Sequence, residues 1–377
     1  MLSVFCSPSR YVQGRDATRN LGVEIDALGL GKRACLIASN HAIKHLELTW
    51  EETLTEANIS YALTEFSGEC SREEIDRIKD IAAEYKAELI IGAGGGKVLD
   101  TTRAVASELN LPVVNCPTVA SSDAPCSALS VVYGEDGEFD SYMFYKRNPD
   151  LVLVDTSVIA KAPVRYLVAG MGDALATMFE AKTVIAAGKK NQLGGATTIS
   201  ARILAEACYQ ILIADSIEAI ESVNNRAVTP ALERIVEANT LLSGLGFESG
   251  GLAIAHSVHN GLTTLHETHD FLHGEKVAFG LLVQLVAEGK GLDVISPILE
   301  YSSEVGLPLT LSDIGVNDLD RERLRKVAER SVKEGETAHN EPFEVTAAVI
   351  FDAILTADSL GRRFRESEVV EAAISKA

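Results

Sequence analysis

At 377 residues the chain is long for a single hydrophobic core, so two domains are expected. Hydrophobic residues make up 46% and charged ones 23%, the balance of a globular protein, and no apolar run approaches the ~18 residues a membrane helix needs. A net charge of −20, spread along the chain, argues against nucleic acid or an anionic membrane surface as a partner.

The opening MLSVFCSPSRYVQG has no basic n-region and too short an apolar run for a signal peptide. Cys6, Cys35, Cys70, Cys116, Cys126 and Cys208 lie far apart with no C-x-x-C spacing, and read as reduced, mostly structural thiols of a cytoplasmic protein. ACLIAS (34–39) is a short apolar strand, followed by a helical stretch to about Asn58. ISYALTEF (59–66) is a second strand. CSREEIDRIKDIAAEYKA (70–87) opens with a Ser and carries acids in its first turn, the signature of a helix N-terminus. ELIIGAGGGK then runs from strand into glycine loop, VLDTTRAVASEL continues as helix, and LPVVNCPT and PDLVLVDTSVI (149–159) are further strands. Strands separated by helices imply a parallel sheet with crossovers.

After Pro163 the strand pattern stops and long Ala/Leu/Glu-rich helical periods follow, as in TTISARILAEACYQILIADSIEAIES. The expected organisation is therefore an α/β domain over 1–162 with a parallel, Rossmann-like sheet, and an all-helical domain over 163–377. There is no internal repeat, low-complexity tract or flexible linker.

Three stretches bear on chemistry. The loop Gly92-Ala93-Gly94-Gly95-Gly96-Lys97 follows a buried strand and opens a helix, where free N–H groups and the helix dipole attract phosphate. Glycine there permits close backbone approach to an anion and positive φ. The pattern is neither G-x-G-x-x-G nor a P-loop, and its bland alternative is a tight strand-to-helix turn. The segment 117–133 is dense in small hydroxyls around Asp123, an acceptor for ribose or polyol hydroxyls. A polar connection with Asx and Ser turns accounts for that composition equally well.

The third stretch, 247–280, holds five of the eight histidines: His256, His259, His266, His269 and His273. Upstream, Asp173 sits in the otherwise apolar helical pattern GMGDALATMFEA, and a buried acid is costly unless a cation or hydrogen bonds compensate it. One Asp and two His would make an O/N/N site, the three-ligand count of a catalytic metal centre. Spacing does not say which two bind. His259 is placed to share the helix face of His256, while His266 and His269 suit a solvated loop.

With those residues set out, the chain resembles the glycerol dehydrogenases, the zinc-dependent branch of the iron-containing alcohol dehydrogenase superfamily. The resemblance rests on GGGKVLDT, PTVASSDAPCSALSVVY, NPDLVLVDT, GMGDALAT, VTPALERIVEANTLLSGLGFESGGLA, AHSVHNGLT and HGEKVAFG, and runs over nearly the whole chain. It implies a dehydroquinate synthase-like fold and one zinc ion per subunit held by Asp173, His256 and His273. It implies NAD contacts from Gly94, Gly95, Gly96 and Lys97 at the pyrophosphate, and from Thr118, Ser121, Ser127, Leu129 and Tyr133 in the following loop. Asp123 maps onto the acid that contacts glycerol, and Phe247 onto the pocket wall. The implied reaction is reversible oxidation of glycerol to dihydroxyacetone, by hydride transfer from a metal-activated alkoxide to NAD. No general base is assigned; His259, His269 and solvent are the candidate proton acceptors. A homo-oligomer, most often an octamer, is also implied.

Four positions bear on the branch, the cofactor and the pocket. Iron-using relatives carry a fourth ligand, a His one helical turn after the Asp, where this chain has Thr177. NAD-using relatives place an acid just after the first strand to bind the ribose 2′-hydroxyl. Here Ser39 and Asn40 stand there, which removes a barrier to NADP. Met178 replaces the Trp of close relatives, so a wider, softer pocket is expected. Other readings are a dehydrogenase for another small diol, hydroxyketone or hydroxycarboxylate, a dehydroquinate synthase-like lyase, and a nucleotide-binding protein without catalysis. The lyase would need a basic cluster for phosphate, and 117–135 holds no basic residue while 247–280 holds only Lys276.

Overall fold

The computed structural model describes residues 1–134, 139–318 and 320–374 and divides into two compact units. One comprises Cys6–Leu167 and Glu218–Leu245; the other comprises Met1–Phe5, Val168–Ile217 and Gly246–Ala377.

The first unit is built on β1 (Tyr11–Gly14), β2 (Arg33–Ala38), β3 (Ser60–Glu65), β4 (Leu89–Gly94), β5 (Val113–Pro117), the hairpin β6 (Leu129–Tyr133) and β7 (Phe139–Phe144), and β8 (Leu151–Asp155). Six strands form one parallel sheet in the order β1-β8-β5-β4-β2-β3, while β6 and β7 pair antiparallel in a sheet of their own. Side chains alternate across the sheet, and both faces are covered. Leu36, Ala38, Leu89, Ile91, Leu151 and Leu153 pack on one side with Leu21 and Ile25 of α1 (Leu21–Leu28) and Trp50 and Leu54 of α2 (Asn40–Glu56). Cys35, Ile37 and Ile90 pack on the other with Ile75 and Ile78 of α3 (Arg72–Glu84) and Val98 and Val105 of α4 (Gly96–Leu109). Each fully buried Leu or Ile contributes roughly 1.5–3 kcal/mol, so these two layers hold the sheet. Ser39 and Ser71 cap α2 and α3 by accepting from Ala42 N and Glu74 N.

The helices that follow are α5 (Thr156–Ile159), α6 (Val164–Ala186), α7 (Ile199–Asn224), α8 (Pro230–Glu237), α9 (Ser243–Gly250), α10 (Ile254–Leu262), α11 (His273–Ala287), α12 (Leu292–Val305), α13 (Arg321–Ser331) and α14 (Ala347–Ile374). The division between units falls inside α6, at 167/168, where the sequence alone suggests 162/163. It also assigns Glu218–Leu245 to the unit that carries the sheet. Polar contacts account for this. Gln13 Nε2 donates to the Glu233 carbonyl and carboxylate, Thr156 Oγ1 donates to Glu233 Oε1, and Asn239 Nδ2 donates to the carbonyls of Ala120 and Leu167. Asn239 lies in a π-helical turn, Ala238–Leu242, between α8 and α9. The edge strand β1 and the β6–β7 hairpin are not apparent from the sequence pattern, which suggests an irregular loop for 117–133.

Candidate active site

Asp173 lies midway along α6 and is fully buried. His256 sits in the first turn of α10, and His273 is the first residue of α11. The fold brings these three together: one ligand atom from each lies within 4.8 Å of the others. His273 Nε2 is 3.1 Å and His256 Nε2 3.4 Å from the same oxygen, Asp173 Oδ1. Burial alone would raise the Asp173 pKa, but His273 and His256 overcome it and hold the carboxyl well below the usual range.

Both imidazoles are braced from behind. His256 Nδ1 donates to Glu180 Oε2 at 2.6 Å, and Glu180 Oε1 accepts from the backbone N–H groups of Ala253 and His256. One buried carboxylate therefore caps α10 and holds the Nδ1 proton of His256, so Nε2 is the nitrogen that faces Asp173 and would be the one to bind an ion. Glu180 is missed by the sequence reading, although it lies two helical turns after Asp173 on the same face of α6. His273 Nδ1 lies 3.0 Å from His259 Nε2, His259 Nδ1 lies 3.1 Å from Asn260 Oδ1, and Asn260 Nδ2 donates to Glu336 Oε2 at 3.0 Å. Arg330 pairs with Glu336. One proton assignment satisfies the row: His273 donates from Nδ1, and a neutral His259 accepts at Nε2 and donates from Nδ1. Burial first, then the charges of His273 and Lys276, push His259 well below the ordinary histidine pKa, which keeps it neutral. His259 is thus packed behind a candidate ligand.

The donor set fits a zinc ion. Ligand atoms at about 2.0–2.1 Å from a tetrahedral zinc lie roughly 3.3 Å apart, the spacing of the two Nε2–Oδ1 pairs, whereas 3.4 Å is long for a hydrogen bond. The approach of α11 to α6 depends on glycine. A Cβ on Gly274 would stand 1.8 Å from the Ala169 carbonyl oxygen, and one on Gly172 would stand 2.5 Å from the Gly274 oxygen. The two helices touch backbone to backbone beside Asp173 and His273.

The remaining residues of this unit singled out in the sequence are not part of that three-residue cluster. His266 and His269 are exposed and stack on each other, with His269 Nε2 at 2.8 Å from the Thr263 carbonyl. Thr177 is fully buried one turn along α6 from Asp173, and its methyl would meet a Cβ on Gly246. Met178 packs against Ala181 and Ala205, and Phe247 is buried in α9.

In the sheet-bearing unit, Gly94–Lys97 join the C-terminal end of β4 to the start of α4. None of these glycines adopts a positive φ, contrary to the conformational reason expected for them. The reason is space: a Cβ on Gly92 would stand 2.2 Å from Thr102 Oγ1, and one on Gly94 2.5 Å from Val98 Cγ2, so glycine lets α4 lie against β4. Gly95 is the N-cap and offers no side-chain cap, while the space beside Gly96 is open. The first N–H groups of α4 thus meet no capping side chain. Lys97 Nζ pairs with Glu69 at 2.6 Å. Thr118 donates its N–H to the Gly94 carbonyl, and Thr118 and Ser121 are half-buried in the loop after β5, the neighbour of β4. Ser127 is buried with its hydroxyl donating to the Ala124 carbonyl, the Leu129 carbonyl accepts from Arg103, and Tyr133 ends β6. Asp123 is buried, and Ser243 Oγ donates to its Oδ2 at 2.9 Å, a partner that lies far along the sequence.

Residues 8–156 match the model of the family described as iron-containing alcohol dehydrogenase. The chain is 50% identical over 366 residues to a glycolaldehyde reductase of Halobacterium salinarum, covering 97% of this chain and all of that relative. The chain belongs to the iron-containing alcohol dehydrogenase family. Within the family it is also 48% identical to a glycerol dehydrogenase of Thermotoga maritima, over 96% of this chain and 98% of the relative. The crystal structure of the glycerol dehydrogenase of Schizosaccharomyces pombe superposes with a TM-score of 0.93 at 37% identity, covering 97% of this chain and 93% of that one. The resemblance read from the sequence motifs and the parallel-sheet-plus-helices architecture are therefore both those of iron-containing alcohol dehydrogenases.

Proposed function

We propose that the chain catalyses the reversible oxidation of glycerol to dihydroxyacetone, with NAD as hydride acceptor and one zinc ion held by Asp173, His256 and His273. The observation that carries this reading is the convergence of two imidazole nitrogens, at 3.1 and 3.4 Å, on one buried carboxylate oxygen. A zinc ion in that set supplies Lewis acidity that lowers the pKa of a bound alcohol. The protein's part is orientation: Glu180 and His259 fix the two rings, Phe247 offers an apolar wall, and Asp123 accepts from a polyol hydroxyl. The open N-terminus of α4 with Gly94–Lys97 takes the pyrophosphate, and Thr118, Ser121 and Ser127 of the segment after β5, with Leu129 and Tyr133 at the two ends of β6, complete the dinucleotide contacts that the resemblance implies. A second reading has the same site reduce a small hydroxyaldehyde, and it is favoured by the 50% identity to a glycolaldehyde reductase. Both substrates present two adjacent oxygens, one on the carbon that exchanges hydride.

We assign the chain to the cytoplasm, in keeping with six free cysteines, and to a homo-oligomer. Exposed Ile199, Ile203, Ile213 and Ile217 along α7 support self-association.

The test is the initial rate of NAD⁺ reduction with glycerol and of NADH oxidation with dihydroxyacetone and glycolaldehyde, before and after chelation and zinc restoration. Activity should vanish with chelator and return with zinc, and the larger kcat/KM decides between the substrates. Asp173→Asn, His256→Ala and His273→Ala should each abolish turnover while NAD⁺ affinity stays close to wild type. Near-normal turnover in any one removes that residue from the ligand set. Dinucleotide binding without turnover of any of the three compounds discards the substrate class.

A further inference from the structure

In dinucleotide-binding sheets, the strand beside the phosphate-binding strand ends in an acid that accepts from the ribose 2′-hydroxyl and repels a 2′-phosphate. Here the glycine loop follows β4, which lies between β5 and β2, and β2 is its neighbour on the side away from the loop after β5. That neighbour ends without an acid: the Ser39 hydroxyl accepts from Ala42 N as the cap of α2, and Asn40 follows. One strand further out, β3 ends at Glu65, which is in register with Ala38 at the end of β2. Adjacent strands are about 4.8 Å apart, within the length of a glutamate side chain. The two side chains meet across that gap: Asn40 Nδ2 donates to Glu65 Oε1 at 2.9 Å.

The charges around it leave Glu65 as the acid in excess. Lys97 pairs with Glu69, and Arg77 makes two bonds of 2.7 Å to Glu74 while donating a third to the main-chain oxygen of Glu65. Among the described residues the exposed Glu65 carboxylate is in no ion pair, and its polar partner is the neutral amide of Asn40.

We propose that Glu65, turned toward β2 by Asn40, is the specificity-determining acid of the adenosine ribose subsite. It accepts from the ribose 2′-hydroxyl of NAD and repels the 2′-phosphate of NADP, the role Ser39 is unable to fill. The inference rests on reading the chain as a nicotinamide-dependent oxidoreductase.

The experiment is calorimetric titration of the purified protein with NAD⁺ and with NADP⁺, for wild type, Glu65→Gln and Asn40→Ala, together with their melting temperatures. Wild type should bind NAD⁺ the more tightly. Glu65→Gln should shrink that preference by about tenfold or more, chiefly by strengthening NADP⁺, as expected when a like charge facing phosphate is removed. Asn40→Ala should give a smaller shift in the same direction, and the exposed positions should leave the melting temperature unchanged. A preference that stays the same in Glu65→Gln, or a wild type that does not prefer NAD⁺, overturns the assignment of Glu65 alone. Failure of wild type to bind either dinucleotide overturns the oxidoreductase reading beneath it.

Discussion

Replacing Gly274 with alanine tests whether the metal centre depends on the backbone contact of α6 with α11. The new methyl would lie 1.8 Å from the Ala169 carbonyl oxygen, where ordinary contact begins near 3.4 Å. The neighbour is main chain in mid-helix and cannot swing aside, so the helices must part locally by about 1.5 Å, at a cost at or above the roughly 1–3 kcal/mol typical of overpacking. His273 immediately precedes the substituted residue, and Asp173 N lies 2.9 Å from the added Cβ. Carried into the 3.1 Å separation of His273 Nε2 and Asp173 Oδ1, the retreat makes a gap of about 4.6 Å. Two bonds of about 2.1 Å span at most roughly 4.2 Å even in a straight line, so one ion no longer reaches both atoms. Gly274→Ala should therefore fail to retain stoichiometric zinc after dialysis, lose the visible spectrum of a cobalt-substituted site, and melt several degrees lower with its helix content preserved. A variant that keeps full zinc and the wild-type melting temperature would refute the argument.

Two other expectations follow from buried acids. Glu180→Gln places an amide where His256 Nδ1 now donates, so either the amide turns or the ring takes the other tautomer, with its proton facing Asp173. Zinc affinity, measured by competition with a chromogenic chelator, should fall about 10- to 100-fold, and unchanged affinity would show that Glu180 does not set the tautomer. Glu341 is buried, and burial together with the carboxylates of Glu288 and Glu180 raises its pKa from 4.5 to about 8. Between those values the folded chain holds a proton that the unfolded chain releases, so stability falls as pH rises through the window and the full cost is present above it. Glu341→Gln should flatten that slope and stabilise the protein by about 2–4 kcal/mol at pH 9 relative to its effect at pH 4. Denaturant titrations with the same pH dependence in both proteins would contradict this.

Much of this was legible from local pattern. β4, β5 and β8 are buried runs of Leu, Ile and Val bounded by turn residues, and a parallel sheet covered on both faces follows from them. Asp173 stood out because an acid amid apolar helix positions needs compensation. What stayed hidden depends on contacts distant in sequence. The choice of His256 and His273 over three other histidines is made by where α10 and α11 meet α6, which no spacing encodes. Glu180 carries no mark in the local pattern, because its role comes from His256, 76 residues along the chain, packing against it. The hairpin of Leu129–Tyr133 with Phe139–Phe144 was masked by serines and aspartates that read as turn formers. β1 joins the sheet through backbone pairing with β8, and its four residues carry no apolar run.

The division of the chain also governs how the molecule can be taken apart. Cutting between Leu167 and Val168 would strand Glu218–Leu245 on the wrong fragment, and with it Ser243, which bonds Asp123, and Asn239, which anchors the Ala120 carbonyl. The other fragment would lose Val4, whose N–H donates to the Ala196 carbonyl and whose own carbonyl accepts from Asn191. Neither unit corresponds to a continuous stretch of gene, so excision or exchange with a relative requires several joins. During synthesis the sheet must wait for residue 245 to leave the ribosome before its last polar partners arrive.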